Sequence, residues 1–593
     1  MSSPQSFYSD RIREYTSRLQ TTQQRITGIA LFRLASFISI AICTYYLLYG
    51  FSYPLLYGTI LLAGVFITLV SISLRLKDRR ALLEKLLFVN NNESLVLANE
   101  LNGFDNGQAF LLSESYLDDL DIFGKRSLFH LLNRTTTSHG RDRLAGMLGK
   151  SLQSGEEIKA HQDAVRQLAG QAEARQLLTA HGLLHSESEG NLHSLSGWLE
   201  TPSRFLKKKW LLIFRWILIV FNVGSFLFYL STDNYAPLLV GILVAWAITG
   251  SFAAYINQQH IQIGKKQVIL GQYAAILNLF NSIDAGNASL LQQLQSRTGK
   301  AHKTIRKLSQ LSSFFDQRMN ILVNIFLNSF FLFDLQCMIA LERWKEAHKN
   351  EFPDWIGMVG SIESLNSLAT FAFNNPEYNY SIPVVQGGLL LETRGMSHPL
   401  IPAAERVPND FTTGRSDRLI LVTGSNMSGK TTFLRTIGIN LLLAQCGAPV
   451  SAASFSFTPM QILTSLRVSD SLQEHTSYFM AELKKLQGII RNLQSGLPSL
   501  VLIDEILRGT NSEDKTHGSE KFILRLLQYN CLSLFATHDL SLGKLAEEKP
   551  GIISNYCFES VIEQGELHFN YKLQSGVARN RNASFLMEKM EII

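Results

Sequence analysis

The sequence predicts a multidomain chain. A largely α-helical part carrying two transmembrane helical hairpins is followed by a C-terminal α/β domain of the P-loop class. Three observations carry that expectation. Apolar runs of spanning length occur in two closely spaced pairs, 28–49 with 53–74 and 210–231 with 235–256; about 20 apolar residues cross a bilayer core. The stretches between and after these pairs place apolar residues at helical spacing. In "LILVTGSNMSGKTTFLRTIG", residues 419–438, a β-type run passes through a Gly-rich loop into a helix.

Taken in order, residues 1–26 form a basic cytoplasmic arm with Arg11, Arg13, Arg18 and Arg25. The apolar run after it is too long for the core of a cleavable signal, so none is expected. Hairpin one covers 27–76, its two runs joined by a short uncharged link before Pro54, and Arg75, Lys77, Arg79 and Arg80 follow. Residues 77–209 read as a first helical stretch, broken at "NNNES" and "LNGFDNG". Hairpin two covers 210–256, preceded by Arg204, Lys207, Lys208 and Lys209 and followed by Lys265 and Lys266. Basic residues thus flank both hairpins on one side, and the links inside the pairs carry none. The positive-inside rule then gives a multi-pass protein of the cytoplasmic (inner) membrane, with both termini and the C-terminal domain in the cytoplasm.

Arg33 and Arg215 lie inside their runs. A mid-membrane arginine costs roughly 2.5–3.5 kcal/mol on insertion scales, and both are expected to snorkel to the headgroups from near the cytoplasmic ends. Residues 257–375 read as a second helical stretch. Within it, 321–341 is interrupted by Asn324, Asn328, Asp334 and Gln336, and is expected to be a buried helix of the soluble part.

Composition narrows the function less than the motifs do. Hydrophobic residues make up 46% of the chain, and the net charge of +6 does not by itself argue for nucleic acid. The five cysteines (Cys43, Cys337, Cys446, Cys531 and Cys557) contain no CxxC pair. They supply neither a metal nor a disulfide framework, and suit a reducing compartment.

Residues 376–593 hold the chemistry. Gly424, Ser425, Asn426, Met427, Ser428, Gly429, Lys430 and Thr431 match G-x-x-x-x-G-K-[ST], with Thr432 next. The glycines let backbone N–H groups turn inward around phosphates, Lys430 reaches the β- and γ-phosphates, and the Thr431 hydroxyl is a magnesium ligand. The following helix adds its N-terminus to the anion site. Downstream, "SLVLIDEILRGT" (499–510) is a buried-type strand ending in Asp504 and Glu505. Asp504 is placed for magnesium and Glu505 for polarising the attacking water, as phosphoryl transfer requires. "LSLFATHDLS" is a further apolar strand ending in Thr537 and His538, which is expected to contact the γ-phosphate or the water. The motifs therefore call for ATP and Mg2+, with Glu505, His538 and Lys430 as catalytic groups.

These residues also carry a family resemblance. "TGSNMSGKTTFLRTIG", "LVLIDEILRGTNSED" and "FATHD" together resemble the ATPase domain of MutS-type proteins, a branch of the ABC ATPases. "RGMSHPLI" (394–401), "VPND" (407–410), "SDSLQEHTSYFMAELKKL" (469–486) and "YKLQSGVARNRNASFLMEKM" (571–590) agree with it. Upstream, 120–148, 158–168 and 361–373 resemble the helical core of the same family. The resemblance implies an ATP-hydrolysing, DNA-binding protein related to mismatch or DNA repair. It implies a homodimer with shared ATP sites, in which Ser477 reaches the γ-phosphate held by the neighbour. The basic cluster Arg297, Lys300, Lys303, Arg306 and Lys307 is the DNA candidate, with a solvated helix face as the alternative reading.

Four departures temper this. No mismatch-reading domain is recognised, hairpin one standing in its place, so mismatch specificity is expected to be weak. The region that would carry the DNA clamp is short and largely occupied by hairpin two. Arg406 stands where the family usually has an aromatic residue to stack on adenine, a role a guanidinium can share. Leu507 stands where the family usually has glycine. An alternative fits the same residues: an ABC-type mechanochemical membrane ATPase acting on a protein or the bilayer, without DNA. The spans carry no acidic residue, which argues against a transport path.

Overall fold

The computed structural model describes residues 3–111, 115–184, 190–385, 387–414, 416–467, 478–507, 511–563 and 566–579. Most of the chain is helical, with α/β structure at the C-terminal end.

Helices α1 (Pro4–Tyr49) and α2 (Tyr53–Leu97) form a long antiparallel pair. Phe37 meets Phe66, and the far ends meet where Gln5 Nε2 donates to Ser94 Oγ at 3.5 Å. Neither helix breaks at the expected boundaries near 26 and 76; Gly28 lies within α1 and the helix runs through it. The polar ends continue as a stalk packed on the core. Tyr15, Leu83 and Leu86 close over Ala180, and Tyr8 OH donates to Asn374 Oδ1 at 2.7 Å.

The helical core follows as α3 (Tyr116–Asp119), α4 (Leu128–Leu132), α5 (Ser138–Gly149), α6 (Gly155–Ala169), α7 (Ala172–Leu183) and α8 (Gly190–Glu200). It resumes as α9 (Lys209–Thr232), α10 (Ala236–Ser251), α11 (Ala253–Ile263), α12 (Gln267–Phe280), α13 (Ser289–Thr298) and α14 (Ala301–Asp316). It ends with α15 (Ile321–Phe331), α16 (Phe333–His348) and α17 (Phe352–Asn374). Helix α17 is almost wholly buried and organises the rest. Its Glu363 accepts the backbone N–H groups of Thr136 and Thr137 at 3.0 and 3.2 Å, together with both hydroxyls, fixing the entry to α5. Burial raises the Glu363 pKa against the pull of these donors. At the other end of α17, Asn374 Nδ2 donates to Glu93 Oε2 at 2.8 Å, and Glu93 forms a buried ion pair with Arg134.

Among the described residues three helices, α1, α2 and α9, are long and apolar enough to cross a membrane; counting two bent pairs as one span each gives up to five. The expected fourth run, 235–256, falls in one bent pair: α10 and α11 meet at 61° just after Gly250 and Ser251, a sequence type that kinks helices. Two expectations are corrected here. Arg215 does not snorkel. It is buried, donating to Gln336 Oε1 at 2.7 Å and stacking on Trp216, because α16 offers it an acceptor within the protein. Nor is 321–341 one buried helix. It breaks at Leu332 (φ 44°), α15 and α16 diverge by 82°, and Ile321, Leu322 and Phe326 are exposed. Along α15 Asn328 and Ser329 turn inward while Ile321, Leu322, Ile325 and Phe326 turn out, the reverse of a soluble core helix; the α16 half, with Leu335, Met338, Ile339 and Leu341, is buried as expected.

The C-terminal domain has two sheets. Strands β1 (Ile382–Pro383), β2 (Leu391–Met396), β3 (Asn409–Thr412) and β5 (Ser454–Phe457) form one, in the order β1-β5-β2-β3. The other comprises β4 (Leu419–Gly424), β6 (Gln461–Ser465), β7 (Ser499–Asp504), β8 (Cys531–Thr537), β9 (Ile553–Glu563) and β10 (Glu566–Ser575). Its order is β10-β9-β4-β8-β7-β6, parallel except for β10. Helices α18 (Lys430–Gln445), α19 (Tyr478–Leu493), α20 (Ser512–Leu526) and α21 (Leu545–Glu548) complete it. Strands covered on both faces should be continuously apolar, and β4, β7 and β8 are buried throughout. On β7, Leu500 and Leu502 join the large core shared with the helical part, whereas Val501 and Ile503 face a second cluster with α19 and α20.

Candidate nucleotide site

Parallel register brings the motifs to one edge. Thr423 of β4 pairs with Thr537 of β8, and Ala536 pairs with Asp504 of β7. The P-loop, the acidic pair and His538 therefore emerge side by side at the carboxyl ends of neighbouring strands, where α/β sheets bind ligands.

The loop itself needs its glycines. Gly424 has φ 156°, and a Cβ there would lie 2.9 Å from Phe558 O; Gly429 has φ 106°. Lys430 Nζ is buried and folds back to donate to Gly424 O and Ser425 O at 2.7 and 2.9 Å. Ser428 Oγ is buried and finds no hydrogen-bond partner among the described residues. Ser425 and Asn426 line the cleft, Met427 stands exposed at its lip with φ 68°, and Thr432 continues the wall along α18.

Thr431 Oγ1 donates to Asp504 Oδ2 at 2.5 Å, bringing together the two expected magnesium ligands. Glu505 adopts φ 51°, a sparsely used conformation for a residue with a side chain. Its carboxylate faces His538, with Nδ1 2.7 Å from Oε1. Lys515 Nζ lies 3.4 Å from His538 Nε2. An ammonium only donates, so Nε2 is the acceptor and Nδ1 carries the proton toward Glu505.

The cleft, about 480 Å³, is completed by His398, Arg406, Asn409 and Tyr571. Arg406 is in the wall, its guanidinium tied to Ile401 O and Tyr378 OH at 2.5 Å each and lying over the Tyr378 ring. Tyr571 leans over the loop, its ring 3.1 Å from where a Gly429 Cβ would stand. Burial, with Arg435 nearby, pushes the His398 pKa down to about 4, so its imidazole is neutral at pH 7. Sequence reasoning missed Tyr571, His398 and Lys515. Only the family-like stretches containing Tyr571 and His398 pointed toward them. Ser477 lies outside the described residues.

The site is anchored to the helical core. Leu507 N donates to Glu482 Oε1 of α19 at 2.8 Å. Leu507 has φ 60°, a backbone conformation that favours glycine, and its side chain packs on Gly518. Lys485 of α19 pairs with fully buried Asp119 of α3, which also accepts from Thr464 Oγ1 (2.5 Å), Leu466 N (3.1 Å) and Arg467 N (3.0 Å). The DNA candidates lie far from the cleft in sequence, on α13, α14 and the link between them. Arg297 pairs with Asp354, and Lys300, Lys303, Arg306 and Lys307 are exposed.

The comparisons agree with this geometry. Residues 420–589 match the family model described as MutS domain V. The chain is 31% identical over 262 residues to the DNA mismatch repair protein MutS of Thermotoga maritima, covering 42% of this chain and 32% of that protein. It is 36% identical over 220 residues to MutS of Chlorobium phaeovibrioides, covering 35% and 24%, and 32% identical over 222 residues to MutS of Protochlamydia amoebophila, covering 36% and 25%. Residues 420–589 are thus similar to domain V of MutS proteins. The chain spans about a third or less of the length of these curated relatives, and the P-loop, the acidic pair and His538 all fall inside the matched domain.

The donor set suits a nucleotide and its metal. Ser428 Oγ and Lys430 Nζ converge on the loop where phosphate oxygens would sit, and magnesium takes one or two protein oxygens with phosphates and waters supplying the rest. Thr431 and Asp504 are such a pair.

Proposed function

We propose that the chain binds and hydrolyses ATP with Mg2+, as a membrane-anchored MutS-family ATPase that works as a homodimer and binds DNA with low specificity. The observation that carries this reading is the juxtaposition of the Thr431–Asp504 pair with the Glu505–His538 pair at one cleft mouth.

In this reading Lys430 exchanges its two carbonyl acceptors for phosphate oxygens, which are stronger, charged partners. Thr431 and Asp504 hold magnesium, which neutralises charge developing on the phosphates. Glu505 orients the attacking water and takes its proton, while His538 fixes the carboxylate. Arg406 and Tyr571 offer planar faces to the base. Ser477 completes the neighbour's site across the dimer. The apolar helix pairs α1–α2 and α9–α10 anchor the chain as four spans in the cytoplasmic membrane, with both termini and the ATPase domain in the cytoplasm. Arg297, Lys300, Lys303, Arg306 and Lys307 meet DNA phosphates.

A second reading, a mechanochemical membrane ATPase without DNA, is favoured by one observation. Tyr8 and Glu93, at the ends of the α1–α2 stalk, bond directly to Asn374 at the end of α17, just before the ATPase domain. The test uses the full chain in lipid vesicles. Mg-dependent ATP hydrolysis that disappears in Lys430→Ala supports the ATPase, and its absence in the unaltered chain rejects it. Retention in the membrane on carbonate extraction supports anchoring. DNA affinity that falls steeply with salt favours the first reading, and no measurable affinity favours the second.

A further inference from the structure

We infer that α15 is a re-entrant membrane element, its outer face seated among the acyl chains of the leaflet nearest the ATPase domain. The inference rests on the membrane anchoring proposed above and adds a third membrane-inserted piece to hairpin two.

Helix α15 packs against α9 and α10, the two expected spans of that hairpin. At its start, Arg318 bonds Asp334 and Asn257, among the polar residues at the foot of the hairpin. At its end, Phe330 meets Phe226 and Ser329 O accepts from Asn222 Nδ2 at 2.7 Å, midway along α9. The chain then reverses at buried Leu332, and α16 descends so that Gln336 meets Arg215, near the start of α9. The path goes in to mid-depth and comes back on the same side. Its 11 residues span about 16 Å at 1.5 Å per residue, roughly half of a ~30 Å hydrocarbon core.

Two features fit such a path. Broken backbone at membrane depth must be satisfied within the protein. Here Asn222 caps Ser329 O, Asp334 N donates to Asn328 Oδ1 at 2.9 Å, and Trp246 Nε1 donates to Ser329 Oγ at 3.0 Å. The opposite face carries Ile321, Leu322, Ile325 and Phe326, all exposed, at the i, i+1, i+4, i+5 spacing of one helical stripe. That stripe holds no charge, and α9, on which α15 packs, exposes apolar residues of its own at Ile213, Ile217, Val220 and Leu227, so lipid is its occupant.

The test places an environment-sensitive nitrobenzoxadiazole label on Phe326→Cys, and separately on Leu227→Cys of α9, in full-length protein with Cys43→Ser; the other four cysteines are buried. Both positions are exposed. The protein is reconstituted in phosphatidylcholine vesicles with and without brominated acyl chains. The expected result is quenching at Phe326 comparable to that at Leu227. Quenching at Leu227 alone overturns the inference and leaves the membrane anchoring intact. In that case blue emission at Phe326 would indicate a covering second copy, and red emission would indicate water. Quenching at neither position overturns the membrane reading and this inference with it.

Discussion

Replacing Asp119 with alanine should loosen the ATPase domain from the helical core by a predictable amount. The carboxylate is fully buried and serves four donors: Thr464 Oγ1, Leu466 N, Arg467 N and Lys485 Nζ. Among the described residues Lys485 would keep Arg467 O, at 2.7 Å, as its acceptor in a site where its side chain is 7% exposed. Stranding one member of a buried ion pair costs about 3–5 kcal/mol, and each amide left without an acceptor adds about 1–3 kcal/mol before relaxation. These terms overlap, so about 3 kcal/mol is the floor. At 1.4 kcal/mol per factor of ten, the amides of Leu466 and Arg467 should exchange hydrogen at least about 100-fold faster. Hydrogen exchange on the intact chain measures this directly. Combining Asp119→Ala with Lys485→Met should recover much of the loss, because no charge is then stranded. Exchange at Leu466 and Arg467 within about threefold of the unaltered protein, below 1 kcal/mol, would refute the assigned role of this pair. ATP hydrolysis should fall too, because the same helix carries Glu482, which holds the loop after Glu505.

Three further outcomes follow from the cleft. His398 is held at a pKa of about 4 against an ordinary 6.5. The unfolded chain therefore gains a proton in this window that the folded chain refuses, and stability should drop by up to about 3 kcal/mol between pH 6.5 and 4. Unfolding midpoints across that range should show a shallower slope in His398→Gln. Tyr571→Ala should weaken ATP binding about tenfold, within the ~1–3 kcal/mol of a base–aromatic stack, while Tyr571→Phe leaves it nearly unchanged; isothermal titration reads both. Mixing Lys430→Ala chains with Ser477→Arg chains should partly restore hydrolysis through one complete composite site. No recovery with mixed dimers present would mean self-contained sites.

The parts of the site legible in the sequence were those built from contiguous residues. A P-loop and an acidic strand end announce themselves because glycine, lysine and carboxylate must occur at fixed spacing. The buried strands β4, β7 and β8 followed from unbroken apolar runs. Tyr571 was not legible, because it reaches the loop through a register shift in the β9–β10 pair between Phe569 and Leu573, which no spacing rule encodes. His398 and Lys515 arrive from separate elements and depend on tertiary packing. The helix pairs were legible as apolar windows, but their polar continuations were not, since periodicity cannot say whether Tyr8 and Tyr15 face water or a neighbouring helix. The inward turn of Arg215 and the reversal at Leu332 likewise depend on partners, Gln336 and Asn222, more than a hundred residues away in the chain.

Glu505→Gln tests the central claim most directly. The substitution keeps an acceptor for His538 Nδ1, 2.7 Å away in the unaltered site, and removes the base. Steady-state hydrolysis should fall by about 100-fold or more, within the range of a lost general base, while ATP binding with Mg2+ stays within a few-fold and ATP-dependent dimers accumulate. Hydrolysis at the unaltered rate in Glu505→Gln would contradict the account.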